Sequence, residues 1–302
     1  MKVSVVTPSF NMATWLPMCI RSVADQNIDV EHLVHDGESK DETTEVVASF
    51  PSITFRSEHD EGMYDAINRG LRSATGDFIS YLNCDEQLLP GALKKVAHYF
   101  EEHPEVDIVC GDAVVVDGDG EFLSYRKGCR PTEAVLYVHT NTVLSCAMFF
   151  RRRVIEESQC YFDTSWKALG DIVWVLEALK KGLVFGELRD YTSVFSVTGD
   201  NFGRTEVGQN EKRKFYSESP GWAKCLKYLI TAQYRLRRLM TGKYSQGPME
   251  YSIYTRESGE ERVTRAVTDP TWRFPYTTAG YIAAENERAL AAKEAGARKS
   301  RH

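Results

Sequence analysis

Long apolar runs are missing from this sequence. Although 42% of its 302 residues are hydrophobic, no apolar stretch approaches the ~20 residues that a membrane-spanning helix needs. The first residues, Met1-Lys-Val-Ser-Val-Val-Thr, lead directly into a β-branched run and lack the pattern of a signal peptide. We therefore expect a cytoplasmic protein with one large domain, or with one domain and a smaller appendage.

Paired cysteines and glycine-rich phosphate loops are also absent. The seven cysteines are an odd number, form no Cys-x-x-Cys pair and have no nearby histidine at metal-ligand spacing, which indicates free thiols. Neither Gly-x-Gly-x-x-Gly nor Gly-x-x-x-x-Gly-Lys-Ser/Thr occurs in the chain. The usual dinucleotide-binding and P-loop sites are therefore excluded.

Basic charge is scarce in the first two-thirds of the chain. Residues 204–302 contain 19 Lys and Arg against 11 Asp and Glu, or about +8, whereas residues 1–203 sum to about −14. This acidic body is unlike a nucleic-acid-binding protein, whose basic face lies on the folded module. It can still bind a nucleotide if a divalent cation neutralises the phosphates.

Strands and helices alternate through the first hundred residues. Short β-branched or apolar runs predict strands at 3–8, 31–36, 53–57, 78–82 and 107–111. Apolar residues at helical spacing predict helices between these strands, and this alternation is typical of a parallel sheet with right-handed crossovers. Further along we expect a hairpin at 114–123, a buried strand at 145–150 and a helix whose first turn contains Asp171.

Residues 76–90 form the most informative stretch. The apolar run 78–82 predicts a buried strand that stops at the oxygen-bearing side chains of Asn83, Asp85 and Glu86. Side chains at the carboxyl end of such a strand lie in the crevice where open α/β sheets bind ligands. Oxygen ligands favour Mg²⁺ or Mn²⁺, with a phosphate-bearing substrate completing the coordination shell. The alternative is a polar turn that caps the following helix.

Asp171 is a second candidate functional residue. It precedes an apolar stripe that begins at Ile172 and therefore lies in the first turn of the predicted helix. An Asp at this position is commonly an N-cap or a partner of the helix dipole. A carboxylate held at a rigid helix start is also suited to act as a general base.

Six segments of the chain occur in an informative order: Val5–Asn11, Val34–Thr43, Glu58–Asn68, Ala74–Asp77, Tyr81–Glu86 and Asp171. In this order and spacing they resemble the family 2 glycosyltransferases over about residues 1–200. The resemblance implies the GT-A fold, an α/β architecture with a Rossmann-like, mainly parallel sheet flanked by helices. It implies a catalytic domain at 1–203, with a donor half at about 1–111 and an acceptor half at about 112–203. A basic, mostly helical extension with a flexible tail would occupy 204–302.

The same resemblance implies an inverting enzyme that takes a nucleotide-sugar donor, preferably a UDP-sugar, with Mn²⁺ or Mg²⁺ as cofactor. Asp85 would be the metal ligand, with Glu86 as a further candidate, and Asp171 the catalytic base. The acceptor would be a hydroxyl of a glycan or lipid-linked molecule, as in cell-surface polysaccharide synthesis. The residues that match the family's donor site are Thr7, Pro8, Ser9, Asn11, Asp36, Asp60, Asp65, Asn68, Asn83 and Cys84.

The sequence departs from the family pattern in three places. Asn83 replaces the first Asp of Asp-x-Asp, so it cannot be an anionic ligand and is expected to bind ribose or water. Glu86 stands where a second Asp is common, which leaves its role as a ligand open. Ser145 and Cys146 stand where close relatives often carry His-Gln, so the acceptor contacts cannot be transferred.

Other residues have two interpretations each. Met63 and Tyr64 could line the sugar pocket or pack in the core, and His139 could contact an acceptor or be a packed histidine. Residues 151–153 are three consecutive arginines, which indicates a solvated cluster rather than a diphosphate site because neighbouring helix residues point in different directions.

Residues 221–240 contain five basic residues and no acidic one. With Trp222, Leu226 and Leu229 on one face, they could form an interfacial helix on anionic lipid at the inner face of the plasma membrane. The alternative is a helix packed on the catalytic domain with its basic side in water.

Two rival functions stay open beside the transferase. One is a sugar nucleotidyltransferase on a related sheet. The other is a non-catalytic nucleotide-binding relative of the same fold, in which Asn83 marks lost chemistry.

Overall fold

The computed structural model describes residues 1–140, 142–198 and 205–274. At its centre is a nine-stranded sheet in the order β3-β2-β1-β4-β8-β6-β9-β5, with β7 paired to β6. Its strands are β1 Val3–Ser9, β2 Val30–Asp36, β3 Ile53–Ser57, β4 Phe78–Tyr81, β5 Gln87–Leu88, β6 Ile108–Asp117, β7 Phe122–Arg126, β8 Met148–Arg151 and β9 Phe185–Val197.

Helices cover both faces of the sheet. They are α1 Leu16–Ala24, α2 Thr43–Ala48, α3 Met63–Ser73, α4 Ala92–Glu102, α5 Glu133–Val138, α6 Arg153–Glu156, α7 Gly170–Lys180, α8 Glu206–Glu218, α9 Gly221–Cys225 and α10 Lys227–Met240. None of these helices combines the length and apolarity that crossing a bilayer requires.

The first half of the sheet is parallel, as predicted. β1 pairs with β2 and β4, and β2 pairs with β3, all in parallel. Every residue of β1 and β4 is buried, because α3 packs Ile67 on one face of this half while α1 and α4 pack on the other. Burial on both faces explains why these strands are continuous apolar runs rather than alternating ones.

The second half of the sheet is mixed. β8 runs antiparallel to β4 and β6, and β5 runs antiparallel to β9, whereas β6 and β9 are parallel. The predicted hairpin is present as β6 and β7. The prediction of a parallel sheet is thus correct for β1 to β4. It does not hold for β5 and β8, which run antiparallel to their neighbours.

Two of the predicted strands differ from the observed ones by three residues or more at one end. β6 continues through Gly111, where a Cβ would lie 2.5 Å from Oγ1 of Thr192, so glycine permits β9 to approach closely. Residues 145–147 form a 3₁₀ turn, and strand β8 starts only at Met148. Arg151 ends that strand, and the short helix α6 begins at Arg153.

The extension packs against the sheet domain. α8 inserts Phe215 into the core beside Trp166, with ring centroids 6.2 Å apart. After α10, strands β10 Met249–Ile253 and β11 Val263–Val267 form an antiparallel hairpin that covers the end of the sheet. Arg262 donates to both carboxylate oxygens of Asp25, at 2.6 and 2.8 Å. The predicted tail lies outside the described residues.

Gly70→Ala should destabilise the fold, because α3 approaches β1 at this glycine. A Cβ there would lie 2.3 Å from Cγ1 of Val6, and overpacking of a core typically costs ~1–3 kcal/mol. The denaturant midpoint of the variant should therefore fall. Gly221→Ala, where an added Cβ has nothing within 4 Å, is the matched control and should keep the midpoint. Equal midpoints for both variants would contradict the close packing of α3 on β1.

Candidate active site

The carboxyl ends of β1, β2 and β4 meet at one edge of the sheet. Ser9 is in register with Asp36, and the chain leaves β4 beside β1 just before Asn83. Side chains from three loops therefore surround a single crevice, which is the ligand-binding edge of an open α/β sheet.

The loop after β1 is fastened to the loop after β2. Asn11, which has a positive φ of 53°, donates its N–H to Ser39 Oγ at 2.7 Å and accepts from the Lys40 N–H through Oδ1 at 2.8 Å. Asp36 is 2% exposed and accepts from the Ser39 N–H at 3.0 Å and from Ser57 Oγ at 2.7 Å. These bonds preorganise a carboxylate and a turn where a nucleoside was predicted.

Three other residues predicted to bind the donor are buried in the core: Thr7, Pro8 and Cys84. The hydroxyl of Thr7 lies 2.9 Å from Nε2 of His32 and is fully buried. Cys84 donates its S–H to the carbonyl of Pro8 at 3.3 Å, and burial raises the pKa of its thiol. The polar groups of Thr7 and Cys84 thus already have protein partners, and these residues shape the floor of the crevice.

The predicted donor loop and helix also contain two kinds of residue, one at the crevice and the other bonded to neighbouring parts of the fold. Asp60 lies beside Gly37, just after β2, and accepts from the Gly62 N–H at 2.8 Å. Asp65 accepts from Arg69 Nη2 at 2.8 Å. Asn68 uses both ends of its amide on the backbone of Phe162, at 2.8 and 2.9 Å. Asp60 lines the crevice, whereas Asp65 and Asn68 hold α3 and its neighbours together.

Asp85 and Glu86 take different roles at the end of β4. Asp85 is half-buried and accepts from Thr198 Oγ1 at 3.1 Å. Glu86 is fully buried and accepts from the Asn83 N–H through Oε2 at 2.8 Å. Burial, followed by the charge of Asp85, raises the pKa of Glu86 to about 8. Glu86 is therefore largely protonated at neutral pH.

The residues at this turn fit a divalent cation that also binds a diphosphate. The buried amide oxygen Oδ1 of Asn83, next to Asp85, has no hydrogen-bond partner in the described part of the chain. Within the same part, no cluster of three or more His, Cys, Asp or Glu side chains has metal-binding geometry. Mg²⁺ is commonly held by one or two carboxylates plus substrate phosphates, and a site centred on Asp85 matches that pattern.

Asp171 lies in the first turn of α7, as predicted. Its own N–H donates to the hydroxyl of Tyr64 at 3.1 Å, and its Oδ1 accepts from the Ile172 N–H at 2.8 Å. Burial raises the pKa of Asp171 to about 6 although this N–H bond opposes the rise. A carboxylate of this kind is ionised at neutral pH and more basic than a solvated Asp.

Asp171 faces the same crevice as the β4 turn. After burial and Asp85, the charge of Asp171 also contributes to the raised pKa of Glu86, and after burial it contributes to the raised pKa of Tyr81 on β4. The hydroxyl of Tyr64 accepts from the Asp171 N–H, its ring stacks on Phe162, and Tyr81 at the end of β4 packs edge-on against the same Phe162 ring. Asp171 is thus linked through these packed rings to the end of β4, four residues before Asp85.

The structure also resolves the open interpretations. Tyr64 is 2% exposed and packs under α7, where a Cβ on Gly170 would lie 2.5 Å from its ring. His139 bonds to Thr231 Oγ1 at 3.0 Å and stacks on a tyrosine of α10. Arg151 donates to the carbonyls of Val106 and Phe100. All three side chains support the fold rather than the crevice.

Three contributors were missed at the level of sequence. Phe10, 61% exposed in the loop after β1, presents an aromatic ring at the carboxyl edge of the sheet, and an aromatic in a polar turn was the available signal. Thr198 donates to Asp85 from just beyond β9. Glu211 of α8 accepts N–H groups next to α7. No local pattern marks Thr198 or Glu211, because their roles depend on long-range contacts.

Comparison with known proteins gives consistent matches. A "PGL/p-HBAD biosynthesis glycosyltransferase" of Mycobacterium bovis is 37% identical over 119 residues, covering 37% of this chain and 46% of the relative. The "Minor teichoic acid biosynthesis protein GgaB" of Bacillus subtilis is 32% identical over 225 residues, covering 70% of this chain and 25% of the relative. This chain thus spans less than half the length of either relative.

Solved structures agree on the fold. The crystal structure of S. aureus TarS 1-349 in complex with UDP-GlcNAc superimposes with a TM-score of 0.60 at 18% identity, covering 80% of this chain and 73% of that one. The architecture is that of the GT-A glycosyltransferases. The sequence profile described as Glycosyl transferase family 2 matches residues 4–158, just over half of the chain. With the crevice geometry, these matches establish that the chain belongs to glycosyl transferase family 2.

Proposed function

We propose that this protein is a metal-dependent, inverting glycosyltransferase. It would move a sugar from a UDP-sugar to a hydroxyl of a glycan or lipid-linked acceptor in cell-surface polysaccharide synthesis. The observation that carries the proposal is the link from Asp171 through the Tyr64 and Phe162 rings to the end of β4, next to the turn that contains Asp85 at the carboxyl edge of the sheet. The UDP-GlcNAc held by TarS and the names of the two bacterial relatives support the donor and acceptor classes.

The donor would lie along the sheet edge. Asp36 and Asn11, both fixed by hydrogen bonds, would contact the base and ribose, with Phe10 against the base. Asp85, with the free oxygen of Asn83, would hold Mn²⁺ or Mg²⁺ on the diphosphate. The bound cation supplies neutralisation of the charge that develops on the departing diphosphate, worth several kcal/mol in such reactions.

Asp171 would act as the general base. Its carboxylate accepts the proton of the acceptor hydroxyl while that oxygen attacks the anomeric carbon from the side opposite the leaving diphosphate, which inverts the configuration. A positioned base typically contributes ~10²- to 10⁴-fold to the rate. The pKa of about 6 leaves Asp171 ionised at neutral pH and ready for this step.

Two rivals are less well supported. A sugar nucleotidyltransferase would use a glycine-rich, arginine-containing loop after the first strand, and this chain has Pro8-Ser-Phe-Asn11 there. A non-catalytic relative does not need a general base, whereas this chain has Asp171, with a raised pKa, in the first turn of α7. Titration of UDP and GDP with and without Mn²⁺, followed by a screen of nucleotide sugars for slow hydrolysis, separates the three.

Asp85→Ala should abolish metal-dependent binding of UDP, because it removes the charged ligand at the turn. The measurement is a calorimetric titration of UDP with and without Mn²⁺. Asp190→Ala is the matched control, since that carboxylate pairs with Lys95 at the surface. Unchanged Mn²⁺-dependent binding in Asp85→Ala would contradict the metal site.

Asp171→Asn should leave UDP binding intact and lower turnover by at least about 10²-fold, because an amide cannot accept the proton. The wild-type rate should also fall as the pH drops through about 6, where Asp171 becomes protonated. The residual rate of the variant should lack this acidic limb. Full activity in Asp171→Asn would remove the residue from the mechanism.

We also propose that α9 and α10 bind the inner face of the plasma membrane. The side chains of Leu229, Leu236 and Met240 recur at helical spacing along α10 and are 64%, 56% and 78% exposed. They form one stripe on the side of α10 away from Ile230, which is buried against the domain. Exposed Arg235 and Arg237 lie on either side of this stripe, so it fits an anionic lipid surface.

The double variant Leu229→Ser with Leu236→Ser should lose binding to vesicles that contain anionic lipid, because it removes the apolar contact without disturbing a buried residue. Co-sedimentation with anionic and neutral vesicles measures this. Val207→Ser, which removes another exposed apolar side chain, is the control. Equal sedimentation of the wild type with both vesicle types would exclude the lipid contact.

A further inference from the structure

Glu211 forms a concentrated set of hydrogen bonds next to the candidate base. Its Oε1 accepts from the Lys167 N–H at 2.6 Å, and its Oε2 accepts from the N–H groups of Ala168 and Leu169 at 2.8 and 2.9 Å. Glu211 belongs to α8, 40 residues beyond Asp171 in the chain. One carboxylate thus gathers three consecutive N–H groups of a segment far away in sequence, and such charge-assisted bonds are the strong ones.

The three N–H groups lie at the entry to α7. That helix starts at Gly170, and its N-cap residue, Leu169, has no side chain that could cap it. The first N–H groups of a helix need partners from outside the helix. Glu211 accepts the N–H of the N-cap residue Leu169 together with the two N–H groups before it, and the hydroxyl of Tyr64 accepts the N–H of Asp171. Glu211 and Tyr64 together therefore replace the missing cap.

Both sides of this contact are firmly held. Phe215, one helical turn after Glu211, is 6% exposed in the main core beside Trp166. The Lys214 ammonium lies 4.5 Å from the centre of the Trp166 ring. On the other side, Lys167 donates its Nζ to the Glu61 carbonyl at 2.6 Å, which ties the segment to the loop before α3. The entry to α7 is thus clamped between α3 and α8.

We propose that Glu211 is a positioning residue for Asp171, so that α8 of the C-terminal extension forms part of the catalytic machinery. By holding the backbone of residues 167–169, Glu211 fixes the direction in which α7 begins and hence where the Asp171 carboxylate points. The catalytic part of the inference depends on the transferase function proposed above; the clamp itself does not.

The charge of Glu211 also raises the pKa of Asp171, and this effect can be measured separately from the hydrogen bonds. The ionisable groups that interact with Asp171 are Lys212 and Glu211 on α8, Tyr64 on α3, Tyr81 on β4 and Glu86 at the β4 turn. Burial has the largest effect on the pKa of Asp171; Lys212 lowers that pKa and Glu211 raises it. Removing the charge of Glu211 should therefore shift the acidic limb of the rate profile to lower pH, and removing that of Lys212 should shift it to higher pH.

The test compares Glu211→Ala, Glu211→Gln and Glu218→Gln in the full chain. Glutamine keeps one acceptor oxygen, which can retain the bonds to Ala168 and Leu169, whereas alanine loses all three. We expect kcat to fall at least about tenfold in Glu211→Ala and less in Glu211→Gln, since small misplacement of a catalytic group costs up to ~10²-fold. The donor KM and the affinity for UDP should stay unchanged. Glu218, exposed at the far end of α8, is the matched control.

Hydrogen exchange provides a readout that needs no activity. The amides of residues 167–169 should exchange faster in Glu211→Ala than in the wild type, while those of the central strands stay protected, which also shows that the variant is folded. Unchanged exchange at 167–169 would overturn the clamp. Faster exchange with an unchanged kcat in Glu211→Ala would overturn the positioning role. A shift of the acidic limb in the same direction in Lys212→Gln and Glu211→Gln would also overturn it. If the wild type transfers no sugar from any donor, the function proposed above fails, and with it the role of Glu211 in catalysis, while exchange still reports on the clamp.

Discussion

Three carboxyl groups share one poorly solvated crevice, and the rest of the site depends on how their repulsion is managed. Asp85, Glu86 and Asp171 cannot all be ionised at low cost, because like charges in a low-dielectric region raise one another's pKa. Glu86 is completely buried and has a pKa of about 8, to which the charge of Asp85 contributes, whereas burial raises the pKa of Asp171 to about 6. Of these two groups, Glu86 is therefore the one that keeps its proton at neutral pH.

This arrangement requires accurate placement, and the placement comes from distant parts of the chain. Asp85 follows a short strand whose neighbours are set by parallel pairing, while Asp171 starts a helix that has no cap of its own. Tyr64 from α3 and Glu211 from α8 complete that helix end. Residues predicted to touch the donor, such as Thr7 and Asn68, instead fix the floor and the flank of the crevice through buried hydrogen bonds.

Much of the donor half was predictable from sequence. The strands β1 to β4 and the helices between them have uninterrupted apolar runs and helical spacings that report directly on burial, and the polar residues that end the strands marked the ligand-binding edge. Asp171 was located by the start of a helical stripe. The long strand β9 was not predicted, because its segment mixes charged and apolar residues according to contacts with both β6 and β5. The hairpin β10–β11 and the role of Glu211 were missed for the same reason, since only the folded neighbours give these polar residues their function.

The extension is linked to the sheet domain at several places, among them the carboxylate of Glu211 and the Arg262 guanidinium on Asp25. The relative GgaB is much longer than the region it shares with this chain, which covers only 25% of its length. A chimaera that joined this sheet domain to another relative's C-terminal part would therefore lose the carboxylate that holds residues 167–169. Under the mechanism proposed above, the rate of transfer would then change together with the extension.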